Sequence, residues 1–218
     1  DRHTTNADEK LPESWRLGNR PNLTQMHTKA TAEIDPDVVM ARMVDEIAKA
    51  KDLSRGASTS GVRVHTLPQK PKDIEDDGDF HYAILGPGAA SESGKPSSEA
   101  VRFLDETTGP DKPRVYRNAV ILLTPTHDGV DLAKNAIRDY LAWEQVRSEL
   151  TDDDNDGQVE MARLQTLAIR VQESKGKIAG AIAQAYSTVV TVNDKNEAQA
   201  FKISISDDPH FQIIKNDQ

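Results

Sequence analysis

The 218-residue chain contains no cysteine, which removes disulfide frameworks, thiolate metal sites and cysteine nucleophiles and fits a reducing compartment. Aromatic residues are scarce at 5%, and no apolar run approaches the roughly 18–20 residues of a membrane span. The six histidines (His3, His27, His65, His81, His127 and His210) include no pair four residues apart and no His-Glu-x-x-His segment, so no zinc or facial-triad site is readable. A Gly-x-Ser-x-Gly turn is missing too, and with it any local nucleophile signature. The first residue is Asp1 rather than Met, and the segment to Asp8 has no apolar signal core. The expectation is an internal piece of a longer cytoplasmic protein.

What is there supports a folded chain. Hydrophobic residues make up 36% and charged residues 29%, and the apolar ones gather in dense runs such as Asn118–Thr124. The net charge of −9 is uneven: residues 1–72 carry 12 basic and 10 acidic side chains, residues 73–218 carry 15 and 26. Such an acidic surface repels phosphate backbones, so no strong nucleic-acid binding is expected of this chain alone. The only candidate basic patch, Arg16, Arg20 and Lys29, reads as solvated surface.

Residues 1–11 read as a disordered tail, 12–60 as a helical N-terminal segment, and 61–218 as an α/β domain with a helical hairpin over 128–185. Asp35 caps and Pro36 starts a helix on which Val39, Met43 and Ile47 form one face. Ser54–Gly61 reads as a linker. Strands are expected at Val62–Leu67, His81–Leu85, Ala119–Leu123, Ser187–Val192 and, as a half-exposed edge, Phe201–Ile205, with a short helix at Glu99–Leu104. The continuous apolar run Ala119–Leu123 suits a strand covered on both faces. Asp128 caps the first hairpin helix, whose buried face carries Val130, Ala133, Ile137 and Leu141. Met161, Leu164, Ala168, Val171, Lys175, Ile178, Ile182 and Ala185 give a heptad-like seam, interrupted at Lys175, for the second. The fold class expected is α/β: a layered, mostly parallel sheet with helices and a long helical hairpin inserted between strands.

Two motifs fail on inspection. Gly86–Pro96 contains Gly-Lys after a strand, yet a phosphate-binding loop needs glycine at Ala89 and serine or threonine at Pro96. Asp152, Asp154, Asp156 and Gly157 match the start of a calcium loop, but Arg163 stands where a bidentate carboxylate should close it. Thr126, His127 and Asp128 form a polar cluster at the C-terminal end of strand 119–126, where open α/β sheets place ligands. Trp143, two positions after Leu141, points away from the buried helix face and, with Arg147, is a candidate partner-docking pair.

Arg114-Val-Tyr-Arg-Asn-Ala-Val-Ile-Leu-Leu-Thr124 followed by Arg138-Asp-Tyr-Leu-Ala-Trp143 resembles a segment of very large prokaryotic P-loop ATPases, the domain-of-unknown-function family 499. Gly18–Thr24 and Ile34–Val38 look like the same proteins just upstream, so the resemblance runs from about residue 12 to 205. It implies an internal region after the Walker motifs of an AAA-like ATPase, similar to those found beside DNA methyltransferases or in phage defence. ATP and magnesium are then expected for the parent protein and no cofactor for this chain, which has neither motif. The implied partners are the parent's other domains and DNA-modification or defence proteins. No catalytic residue carries over; Arg114 and Arg117 are candidates for contact with phosphate or a neighbouring domain. The rival expectations are a stand-alone interaction module docking through its hairpin, and an enzyme assembled around His127, Asp128 and Arg117.

Overall fold

The computed structural model describes residues 22–152 and 161–203. Helix α1 (Leu23–Glu33) starts at a reciprocal cap, in which the Asn22 carboxamide oxygen accepts the Gln25 N–H at 2.8 Å and the Gln25 carboxamide oxygen accepts the Asn22 N–H at 3.2 Å. Helix α2 (Pro36–Lys49) starts as its sequence dictates: Asp35 accepts the Asp37 N–H at 2.8 Å, and Val39, Met43 and Ile47 are buried. Ser54–Gly61 is not a plain linker. A 3-10 turn over Lys51–Ser54 leads into the short helix α3 (Arg55–Thr59) within it, and Leu53 and Ala57 are buried.

Strands β1 (Arg63–Thr66) and β2 (His81–Ile84) are followed by helix α4 (Ser98–Asp105), a small ribbon β3 (Glu106–Gly109) and β4 (Lys112–Pro113), and then strand β5 (Val120–Thr124). Helices α5 (His127–Asp152) and α6 (Met161–Ala185) form the hairpin, after which β6 (Thr188–Val192) and β7 (Ala198–Lys202) complete a five-stranded sheet of order β1-β2-β5-β6-β7. The α/β layered class with an inserted hairpin is therefore the architecture. The β1-β2-β5 half is parallel; β6 and β7 run antiparallel. The cause lies in the connections. One crossover returns the chain to its starting end and yields a parallel neighbour, whereas two successive long helices bring it back to the end it left, so β6 enters antiparallel to β5.

Each strand of the sheet's centre feeds two cores. Tyr82, Ile84, Ile121, Leu123 and Val189 pack under α1, α2, α5 and α6 together with Met43, Ile47, Ile137, Ile178 and Ile182. Ala83, Leu85, Val120, Leu122, Val190 and Ala200 face the other way, onto Ile74 and the Ala100, Phe103 and Leu104 face of α4. That two-sided burial explains the unbroken apolar run of β5. The helices of residues 22–59 pack into the first core rather than forming a unit of their own.

The base of the hairpin is pinned to the sheet. Thr126 N–H donates to the Ala185 carbonyl at 2.9 Å, and a Cβ added at Gly129 would stand 2.5 Å from the Ala185 Cα, so only glycine permits this approach. Along α6 the buried line runs Leu167, Val171, Ser174, Ile178, Ile182, Ala185. Met161, Ala168 and Lys175, expected in the seam, are exposed; for the last two, Leu167 and Ser174, one residue earlier, take their places. Lys175 therefore interrupts nothing, and Ser174 satisfies its hydroxyl on the Arg170 and Val171 carbonyls at 2.8 and 3.0 Å.

Candidate functional site

Arg114 is only 3% exposed. Its guanidinium donates to five carbonyls: Pro71 (3.0 Å), Ile74 (3.2 Å), Glu75 (3.0 Å), Phe103 (3.3 Å) and Glu106 (3.2 Å). Burial pushes its pKa down and the nearby Asp76 carboxylate opposes that. A guanidinium so occupied cannot also meet a phosphate or a neighbouring domain, which corrects the expectation for this residue. Arg117 is likewise engaged, on the Asp105 carboxylate and the Asn196 carbonyl, and so ties the approach to β5 to the β6–β7 turn. The segment between them is braced as well, because Asp76 accepts the N–H groups of Val115 (2.7 Å) and Tyr116 (2.9 Å). The side chains this backbone presents are apolar: Val115 is 76% and Tyr116 46% exposed. The Tyr116 ring lies against Gly78, and Phe80, two residues on, is 59% exposed.

The polar cluster past β5 has a structural task. Thr126, not Asp128, caps α5: its Oγ1 accepts the Gly129 N–H at 3.1 Å. His127 is exposed and bonds through both its N–H and its Nδ1 to Glu92, at 3.0 and 3.1 Å, and Asp128 is an exposed first-turn acid. The His127 N–H holds the Glu92 carboxyl below its ordinary pKa. Across from it, several amides of residues 86–97 are bonded: Ser91 N–H goes to the Pro125 carbonyl, Glu92 and Lys95 pair with each other, Gly94 goes to Ala200 and Ser97 to the Ser91 hydroxyl.

Trp143 does not stand on an open face. It stacks on His27 of α1 at 4.1 Å between centroids and 23° between planes, packed against the first core, which corrects the expectation that it points away from the fold. Arg147 is exposed and pairs with Glu144 at 2.8 Å. Most of the calcium-like turn, like residues 1–11, Arg16 and Arg20, lies outside the described residues; Arg163, its closing position, donates toward the Met26 sulfur at 3.6 Å.

One constellation escaped the sequence reading. His81 opens β2 and is 1% exposed; His65 sits in β1 beside it, and the crossover between the strands brings Glu75 and Asp77 back to the same place. His65 Nε2 and His81 Nδ1 are 2.9 Å apart, and His81 Nε2 lies 2.9 Å from Asp77 Oδ1. Asp77 Oδ2 in turn takes Arg63 at 2.7 Å. The His81 hydrogen bond, then the Asp79 N–H, pull the Asp77 carboxyl down to about 2, while burial and the adjacent His81 lower His65. The Glu75 carboxylate stands 3.8 Å from His65 Nε2 and 3.9 Å from His81 Nδ1. The spacing of 16 residues between the histidines hid the pair; their positions in adjacent strands, with an acidic Glu75-Asp-Asp77 run between, were the available signal.

Comparison with family models, with curated proteins and with solved structures finds no match to this chain. Among the described residues no helix is long and apolar enough to cross a membrane.

Proposed function

We propose that this chain is a non-catalytic α/β segment of a large P-loop ATPase linked to DNA modification or phage defence, working through contacts with the parent's other domains. The observation that carries this reading is the surface of Phe80, Val115 and Tyr116. These side chains are exposed; Asp76 holds the Val115 and Tyr116 N–H groups, and the Phe80 carbonyl accepts the Arg63 N–H at 3.1 Å. Apolar groups on a pre-organised platform lose little entropy on docking, which is the arrangement interface hot spots require. ATP and magnesium belong to the parent's earlier region, since this chain has Ala89 and Pro96 where a phosphate-binding loop needs glycine and serine or threonine. Docking through the hairpin has less support, since Trp143 already stacks on His27.

The test is capture in trans by the P-loop-bearing part of the parent. The wild-type chain should be retained, and Val115→Asp combined with Phe80→Ser should lose most of that retention while keeping its circular dichroism spectrum and melting temperature. Titration of the chain with Mg-ATP should be flat. A micromolar isotherm, or capture indifferent to the substitutions, overturns the reading.

A further inference from the structure

His65, Glu75 and His81 carry three potential ligand atoms within 4.8 Å of one another. Asp77 fixes how one of them points. An ionised carboxylate only accepts, so in the neutral ring His81 Nε2 bears the proton that goes to Asp77, and Nδ1 turns its lone pair inward toward His65. A carboxylate behind a histidine whose other nitrogen faces a shared point is the usual support of a metal-binding imidazole.

The distances agree. Glu75 is too far from either ring nitrogen, at 3.8 and 3.9 Å, for a hydrogen bond, yet it closes a triangle whose third side is the 2.9 Å between the two nitrogens. The point equidistant from those three atoms is roughly 2.1 Å from each, which is the length of Zn–N and Zn–O bonds. Glu75 is the exposed member, so its rotation can lift an ion from that plane and admit water.

We infer that His65 Nε2, His81 Nδ1 and one Glu75 carboxylate oxygen bind a divalent transition-metal ion of the zinc class, with Asp77 as the positioning residue behind His81. The two-nitrogen, one-oxygen donor set favours zinc, cobalt or nickel over calcium or magnesium, which take oxygen ligands. Binding moves the His65 proton from Nε2 to Nδ1 and replaces the present histidine–histidine hydrogen bond.

The experiment is calorimetric titration of the chelator-treated chain with Zn²⁺, accompanied by melting curves. One equivalent should bind and raise the melting temperature. Glu75→Gln, at an exposed position, should fold as wild type and weaken binding by more than about tenfold; Asp77→Asn should weaken it by roughly 10- to 100-fold. His65→Asn should abolish stoichiometric binding, and Glu92→Gln, remote from the triangle, should change nothing. With Co²⁺ in place of zinc, the visible absorption band of the wild type should shift in Glu75→Gln. Absence of one-equivalent binding overturns the inference. So does affinity that survives both Glu75→Gln and His65→Asn, since the ion would then sit on other histidines such as His27 or His127.

Discussion

On the helical side of the sheet, Met43, Ile47, Ile137 and Ile182 meet Tyr82, Ile121 and Leu123 through apolar contact, with hydrogen bonds such as Tyr82 OH to the Leu53 carbonyl (3.0 Å) as accessories. On the opposite side, the apolar patch around Phe103 and Leu122 is flanked by loops that single polar side chains hold in place: Arg114 on five carbonyls, Asp76 on two amides, Ser91 between Ala89 and Ser97. Periodic apolar residues distribute stability over many replaceable contacts. A lone buried cation concentrates it in one residue that ties together five carbonyls from separate segments.

The largest effect should therefore come from the loop side. Arg114→Ala leaves several buried carbonyls unpaired and is expected to cost roughly 3–5 kcal/mol, measured by urea unfolding. Arg114→Lys, with one ammonium in place of a five-donor fork, should recover only part of that. If Lys restores wild-type stability, charge rather than the fork holds the loops. On the helical side, Ile137→Ala should cost about 2–4 kcal/mol, the ordinary penalty of a core cavity. A loss exceeding that of Arg114→Ala would invert the comparison. Where the two sides meet, Gly129→Ala drives a methyl into Ala185 and should cost roughly 1–3 kcal/mol, with the unfolding slope unchanged.

The smallest effect is at the surface. The Glu92 carboxyl titrates below its ordinary range because it accepts from His127, so its contribution is present above the ordinary carboxyl range and fades as the pH falls through the lower folded value. The melting-temperature gap between wild type and Glu92→Gln should be small at pH 7 and close as the solution is acidified. A gap that persists in strong acid shows that the contact does not depend on the carboxylate charge.

The two sides also differ in how far the sequence disclosed them. Asp35, Pro36 and the Val39–Met43–Ile47 face declare α2 outright, because cap and helical period lie within one short window. The hairpin is legible for the same reason, although the seam on α6 starts later than the pattern suggests, with Met161 exposed, and lies one residue earlier than expected at Leu167 and Ser174; Ala168 and Leu167 are both apolar, and periodicity alone does not choose between them. Helix α1 carries a legible Asn22 and Gln25 cap but only a weak apolar face, with Ala30 its one buried residue, so periodicity does not declare it. The role of Arg114 was illegible. Its carbonyl partners lie 8 to 43 residues away, and main-chain acceptors leave no trace in residue identity. The same holds for His65 and His81, which become neighbours only through the register of two parallel strands.

The glycine contact at the foot of the hairpin gives the molecule unequal arms. Gly129 is the third of the 26 residues of α5, so about 35 Å of helix extends beyond the contact, whereas the five residues of β5 span only about 17 Å. A tilt of about 5° at Gly129 therefore displaces the far end of α5 by about 3 Å while barely moving the strand beside it. The close packing of Gly129 on Ala185 is the fulcrum of a lever, and α1, lying along α5 with His27 against Trp143, is the brace that limits its swing.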